Sequence, residues 1–171
     1  MIKIIFPDGA VRSYDEGVTS LDIAKSISEG LAKKVLAASI NGEVVDAVRP
    51  INQDATIKLL TWVDTDGKST FWHSSAHLMA EAVEAVFPGV KFWVGPAVEN
   101  GFYYDVDFGS ESLSEKDLVN LEKKFIEFSR QKFEFKMRSS SKAEALDFYQ
   151  KENNPFKLEL IENLEDGTIS F

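Results

Sequence analysis

The pattern of apolar and polar positions changes rhythm several times along the chain. It opens on Ile2-Lys3-Ile4-Ile5-Phe6, breaks at Pro7-Asp8-Gly9 and resumes as Ala10-Val11-Arg12-Ser13-Tyr14. Two β-rich runs around a turn that proline and glycine favour predict a hairpin. Leu21, Ile23, Ala24 and Ile27 then recur at mainly helical spacing, with Thr19 or Ser20 to cap the helix and Gly30 to stop it. Leu36–Ile40 and Val44-Val45 flank Asn41-Gly42, a pair that tolerates the positive φ of a tight hairpin turn. Thr56–Trp62 is a last apolar run. This order predicts a four- or five-stranded sheet wrapped over one helix within residues 1–62.

Residues 63–69, Val-Asp-Thr-Asp-Gly-Lys-Ser, are polar and turn-rich and mark a linker. A second, α+β segment is expected over 70–171. It starts with a helix from about Thr70 to Phe87, stopped by Pro88-Gly89, with strands at Val90–Val94 and Phe102–Phe108. Ser114 caps a long helix to about Gln131, with Leu118, Leu121, Phe125 and Phe128 on one face. Phe133–Met137 alternates like a strand. Ser141 with Glu144 makes a capping box for a helix to about Lys151. Lys157–Ile161 reads as a strand. Thr168–Phe171 begins a further apolar run on which the chain stops, so a domain truncated at its C-terminal end is expected.

Composition narrows the class. Of 171 residues, 44% are hydrophobic and 27% charged, which fits a folded domain or two and not a disordered chain. No run approaches the ~18 apolar residues of a membrane span, and the opening is too short and too soon polar for a secretory signal. Without cysteine the chain has no disulfide, no thiolate nucleophile and no cysteine-ligated metal. The net charge is −9, and segment 1–62, with 7 basic and 8 acidic residues, carries little of it. Phosphate neutralisation needs Lys and Arg, so contact with a nucleic acid has to be local and directed by a larger assembly.

Two stretches hold the candidate chemistry. His73 and His77 are the only histidines, in Trp72-His73-Ser74-Ser75-Ala76-His77. Four residues apart on a helix, they share a face. Trp72, Ala76, Met79, Val83 and Val86 form the apolar stripe at ~100° per residue, which leaves the histidines half-buried on its rim. They are either an amphipathic pair beside a core or the wall of a groove. As metal ligands they need a third partner, for which Glu81 or Glu84 is placed; Ser74 stands where a metalloprotease helix has its glutamate. The second stretch is Gly95-Pro96-Ala97-Val98-Glu99-Asn100-Gly101-Phe102-Tyr103-Tyr104-Asp105, in which adjacent tyrosines of a strand face opposite sides. No phosphate-binding glycine loop ending in Lys-Ser/Thr is present. Lys157, after Pro155-Phe156, is by itself a surface lysine.

Taken together these motifs carry a resemblance. Residues 1–62 resemble the TGS domain, a ubiquitin-like β-grasp module shared by several families. His73-Ser74-Ser75-Ala76-His77-Leu78 followed by Gly95-Pro96 and Asn100-Gly101-Phe102-Tyr103-Tyr104-Asp105 resembles the second N-terminal domain of the bacterial threonyl-tRNA synthetases. The resemblance implies a cytoplasmic homodimeric enzyme that joins threonine to its tRNA with ATP and magnesium and holds zinc in a separate catalytic domain. It implies no cofactor in this region. It makes the second segment an editing domain that hydrolyses seryl-tRNA, with His73, His77 and Lys157 as catalytic residues and Tyr104 in the pocket. Their rings are then expected to open into a cleft near Tyr104 and Lys157. The family's downstream Cys-x-Gly-Pro-His run is not in this sequence, so the pocket is expected to be incomplete and the chain alone nearly inactive. Two other classes fit parts of the pattern. One is a free-standing metal-dependent aminoacyl-tRNA deacylase; the other is a non-enzymatic TGS binding module of a stringent-response or GTPase protein.

Overall fold

The computed structural model describes residues 1–110, 112–133, 135, 138–165 and 168–170. It divides into two compact units, Met1–Ser74 with Ala97–Asn100, and Ser75–Pro96 with Gly101–Phe171.

In the first unit, β1 (Ile2–Ile5) and β2 (Val11–Tyr14) form the expected hairpin, in register from Ile2 opposite Tyr14 to Ile5 opposite Val11. Short β3 (Val18–Thr19) leads into α1 (Ser20–Ile27). Thr19 is its cap: the hydroxyl accepts the Asp22 N–H at 3.1 Å, and the Asp22 carboxylate accepts the Thr19 N–H in return. The helix ends at Ile27, before Gly30. Ser28 closes α1 and caps α2 (Glu29–Ala32), so Gly30 lies inside a second helical turn and is not the stop. Then follow β4 (Ala37–Ile40), β5 (Glu43–Val45), β6 (Pro50–Ile51) and β7 (Ala55–Leu60). The turn between β4 and β5 has Asn41 and Gly42 at φ of 52° and 89°, as the Asn-Gly pair predicts.

The sheet order is β2-β1-β7-β4-β5. β1 runs parallel to β7 and every other pair is antiparallel, so one long return brings the last strand beside the first. Alternation decides the buried face. Ile2 and Ile4 of β1 and Ala55 and Ile57 of β7 join Ile23 of α1, Ala38, Val45 and Ile51 in one core, with Ile4 and Ile23 fully enclosed. This is the mixed sheet over a helix expected of a β-grasp.

α3 (Thr65–Val86) begins five residues earlier than the apolar pattern suggests. The polar residues 63–69 are largely its first turns. Asp64 accepts the Thr61 N–H at 2.9 Å and meets Lys58 at 2.7 Å, which closes the turn out of β7. These two contacts, Lys58 first, hold the Asp64 carboxyl below the usual carboxylate range. Gly67 is buried against the Thr61 carbonyl, where any Cβ would overlap that oxygen. Trp62, Phe71 and Trp72 pack edge to face around the same turn, at centroid distances of 5.2–5.6 Å.

The second unit has no large sheet among its described residues. After β8 (Lys91–Phe92), the short strands β9 (Ala97–Val98), which falls in the first unit, β10 (Gly101–Phe102) and β11 (Val106–Asp107) replace the longer strands expected over 90–108. β8 pairs with β11, and hydrogen bonds from the Trp93 and Asp105 N–H groups extend that pairing to Val94. α4 (Glu115–Gln131) starts at Ser114 with a capping box to Asp117, and buries Leu121 while Leu118 stays 55% exposed. The strand expected at 133–137 falls on Glu134, Lys136 and Met137, which lie outside the described residues. β12 (Ser139–Ser141) precedes α5 (Lys142–Lys151), whose Ser141–Glu144 capping box is as expected. α6 (Pro155–Glu162) occupies the place where the sequence reads as a strand. Its start is chemically specified: Asn154 caps it and Pro155, with φ already helical, sits in its first turn. β13 (Thr168–Ser170) pairs antiparallel with β12. The whole chain is α+β.

The two glycines predict opposite effects. Gly67→Ala forces the α3 start away from Thr61 and should lower stability by about 1–3 kcal/mol. Gly30→Ala meets only the Ser28 hydroxyl, 4.0 Å away, and should raise it by about 0.5–1 kcal/mol. Urea unfolding of the two variants, with midpoints moving in opposite directions, checks this.

Candidate functional site

The histidines lie where the helical spacing puts them, four residues apart on α3. Ala76 and Val83 of the apolar stripe are buried and Trp72, Met79 and Val86 are half-buried, so the stripe is a core face. His73 and His77 are exposed residues, beyond the expected half-buried rim. The small buried residues Ala76 and Ala82 centre the packed face away from them. His77 lies beside Phe135, with ring centroids 6.3 Å apart.

Tyr104 and Lys157 are brought to neighbouring points of the second unit by Phe92 and Trp93. The Tyr104 ring packs edge to face on Phe92 at 5.3 Å. A Cβ on Gly95 would lie 2.5 Å from the Tyr104 ring carbons, so Gly95 is required by ring packing and not by turn geometry. Burial pushes the Tyr104 phenol pKa up. Tyr103 is 51% exposed, so the two tyrosines divide into one packed and one solvated ring. Lys157 is half-buried in the first turn of α6, and its Nζ donates to the Trp93 carbonyl at 2.6 Å. Burial lowers the amine's pKa. A lysine held this way is a short-range cation with restricted motion, suited to an ester carbonyl, a hydroxyl or a phosphate.

Two residues that the sequence reading passed over hold this lysine. The Asn154 side chain accepts the Lys157 N–H at 3.2 Å and donates to the Phe92 carbonyl at 3.4 Å. The Trp93 ring stacks on Phe156 at 6.1 Å with a 30° interplanar angle. Asn-Pro before an apolar run is a helix-start signal, and it was legible. The contact with Trp93, 64 residues away, was not. Glu81 and Glu84, the possible third metal ligands, are exposed on α3, and no group of three or more His, Cys, Asp or Glu is placed to hold a metal ion among the described residues. No helix among the described residues is long and apolar enough to cross a membrane.

Residues 2–61 match the TGS domain family, which accounts for the mixed sheet over α1. Over its full length the chain is 56% identical to the threonine--tRNA ligase of Cytophaga hutchinsonii. It is 55% identical over 99% of its length to that of Parabacteroides distasonis, and 50% identical over all of it to that of Flavobacterium johnsoniae. In each case it spans 26% of the relative. Fold and match together define a TGS-domain protein with a second α+β unit. The sequence is similar to threonine--tRNA ligases over a stretch about a quarter of their length, and the resemblance drawn from the motifs is borne out.

The lowered Lys157 pKa carries a sign. Between its folded and unfolded values the unfolded chain binds more protons, so stability gains from this group as pH rises through that interval. Below both values each state is charged and the folded state carries the desolvation cost. Lys157→Met removes that cost, so its stability relative to the parent chain should be highest near pH 7 and decline as pH climbs toward the amine's ordinary value. Urea unfolding at pH 7 and pH 10 measures the trend; a pH-independent difference would contradict it.

Proposed function

We propose that this chain is the N-terminal region of a threonine--tRNA ligase, a cytoplasmic enzyme that joins threonine to its tRNA using ATP, and that residues 70–171 belong to its editing module. The full-length relationship to named ligases is the observation that carries the reading. Residues 1–62 act as a TGS module and residues 70–171 as part of the hydrolytic module. ATP with magnesium, zinc and the homodimer contacts belong to the part of the enzyme outside these residues. The chain's net charge of −9 is consistent with this, since the main tRNA-holding surface then lies elsewhere.

The chemistry has a clear need for such a module. Serine differs from threonine by one methyl group, and a pocket gains only about 1–3 kcal/mol from a methylene-sized difference. A second site that hydrolyses seryl-tRNA multiplies the selection. In this reading His73 and His77 orient the attacking water and take its proton, the role of a general base. Lys157, fixed on the Trp93 carbonyl, steadies the ester or the 3′-terminal ribose. Tyr104, seated on Phe92, forms part of the pocket wall. The site is completed by a Cys-x-Gly-Pro-His run that this sequence lacks.

The test is hydrolysis of seryl-tRNA by a full-length ligase, meaning this sequence continued to the length of its relatives. His73→Ala and Lys157→Ala should each slow deacylation by about 10²-fold or more, and residues 1–171 alone should be nearly inactive. Undiminished hydrolysis in His73→Ala would remove the histidine pair from the mechanism. Full activity of the short chain would show that no downstream half-site is needed.

A further inference from the structure

Three consecutive residues at the end of β8 are tied to the junction of α5 and α6 by hydrogen bonds from side chains to main-chain carbonyls. Lys91 Nζ donates to Glu152 O at 2.9 Å, Asn154 Nδ2 to Phe92 O at 3.4 Å, and Lys157 Nζ to Trp93 O at 2.6 Å. Trp93 and Phe156 stack beside this seam. Asn154 is its pivot. It is 8% exposed, and both ends of its carboxamide are engaged: Oδ1 caps α6 by accepting the Lys157 N–H, and Nδ2 reaches Phe92.

The residue type is informative. Ser, Thr and Asp cap a helix as well as Asn does. Only Asn combines that acceptor with an N–H donor in so short a side chain. Helix initiation alone does not need the second function. What the donor adds is a fixed distance between the first turn of α6 and β8, and that distance decides whether Lys157 reaches Trp93. An ammonium has three N–H donors. One is held by the Trp93 carbonyl, so the other two point along directions set by the backbone of both elements and not by a free side chain.

We propose that Asn154 is a positioning residue for deacylation: it locks α6 to β8 so that the Lys157 ammonium presents its remaining donors to the ester or 3′-terminal ribose of the mischarged tRNA. This rests on the reading of Lys157 as an editing residue. The lysine begins already ordered, so less rotamer freedom is lost when the substrate arrives. Burial at this seam also lowers the amine's pKa, which gives the positioning a second observable.

Asn154→Asp separates the two roles of the side chain, since it keeps the cap acceptor and removes the donor. Asn154→Ser also keeps the acceptor and replaces the amide donor with a hydroxyl one bond shorter, without adding charge. In the full-length ligase each should lower kcat for seryl-tRNA hydrolysis by about tenfold with KM within about twofold, because the group lost acts on geometry. In residues 1–171 the Lys157 titration, followed by the NMR shift of its Cε, should move to higher pH in both variants as the amine gains solvent. Lys157→Ala in the same assay tests the underlying reading. Wild-type kcat in both Asn154 variants beside an inactive Lys157→Ala would overturn the positioning role and leave the editing site standing. Wild-type kcat in Lys157→Ala would overturn both. A lowered kcat with an unmoved Lys157 titration would show that Asn154 acts by another route, and the inference would fail.

Discussion

The second unit depends on one constraint: main-chain carbonyls at the end of a two-residue strand are met by side chains from a helix junction some sixty residues away. β8 is too short to hold itself in place, since a two-stranded pairing is marginal in water. Its carbonyls at Phe92 and Trp93 find their partners in Asn154 and Lys157. The other end of the Asn154 carboxamide caps α6, which has only eight residues and little intrinsic stability. Each element is therefore stable because the other is present. The lysine assigned to chemistry is also part of that mutual support, which accounts for a half-buried cation in a protein whose surface charge is mostly negative.

The first unit is organised differently. Its sheet buries a continuous apolar face against α1, and non-directional packing supplies most of the stabilisation. Polar contacts there act at the ends of elements. The Thr19–Asp22 box starts α1, and Asp64 with Thr61 and Lys58 turns the chain out of β7. Lys58 lies in solvent, where screening weakens the Lys58–Asp64 pair, so its role is chiefly to fix the turn. The close seat of Gly67 under Thr61 and the Trp62–Phe71–Trp72 cluster add steric definition. The start of α3 is thus set by the sheet and not left to a loose polar connection.

Local grammar in the sequence was reliable at the capping boxes and the tight turn. Ser114 with Asp117 and Ser141 with Glu144 start their helices as expected, and Asn41-Gly42 makes its tight turn. The histidine pair on one helix was equally legible, since 3.6 residues per turn fixes it. The alternating Lys157–Ile161 run misled because a short apolar alternation fits either a strand or a buried helix, while Asn154-Pro155 carried the correct signal. Gly30 misled because glycine weakens a helix without forbidding one, and Ser28 had already ended α1.

The sequence by itself therefore determined the caps, the tight turns, the apolar faces of the long helices and, through its motifs, the relationship to threonine--tRNA ligases. The tertiary structure alone decided that β1 lies parallel to β7, that the two histidines are exposed, that Gly95 is needed beneath Tyr104, and that Lys157 meets the Trp93 carbonyl beside an Asn154 bonded to Phe92. The physical reason is range. Capping and turn energies are fixed by bonds between near neighbours in the chain, so residue order encodes them directly. Burial, pKa and the reach of a lysine to a distant carbonyl depend on which segments are brought together, and that is settled only when the whole chain has found a packing that satisfies them at once.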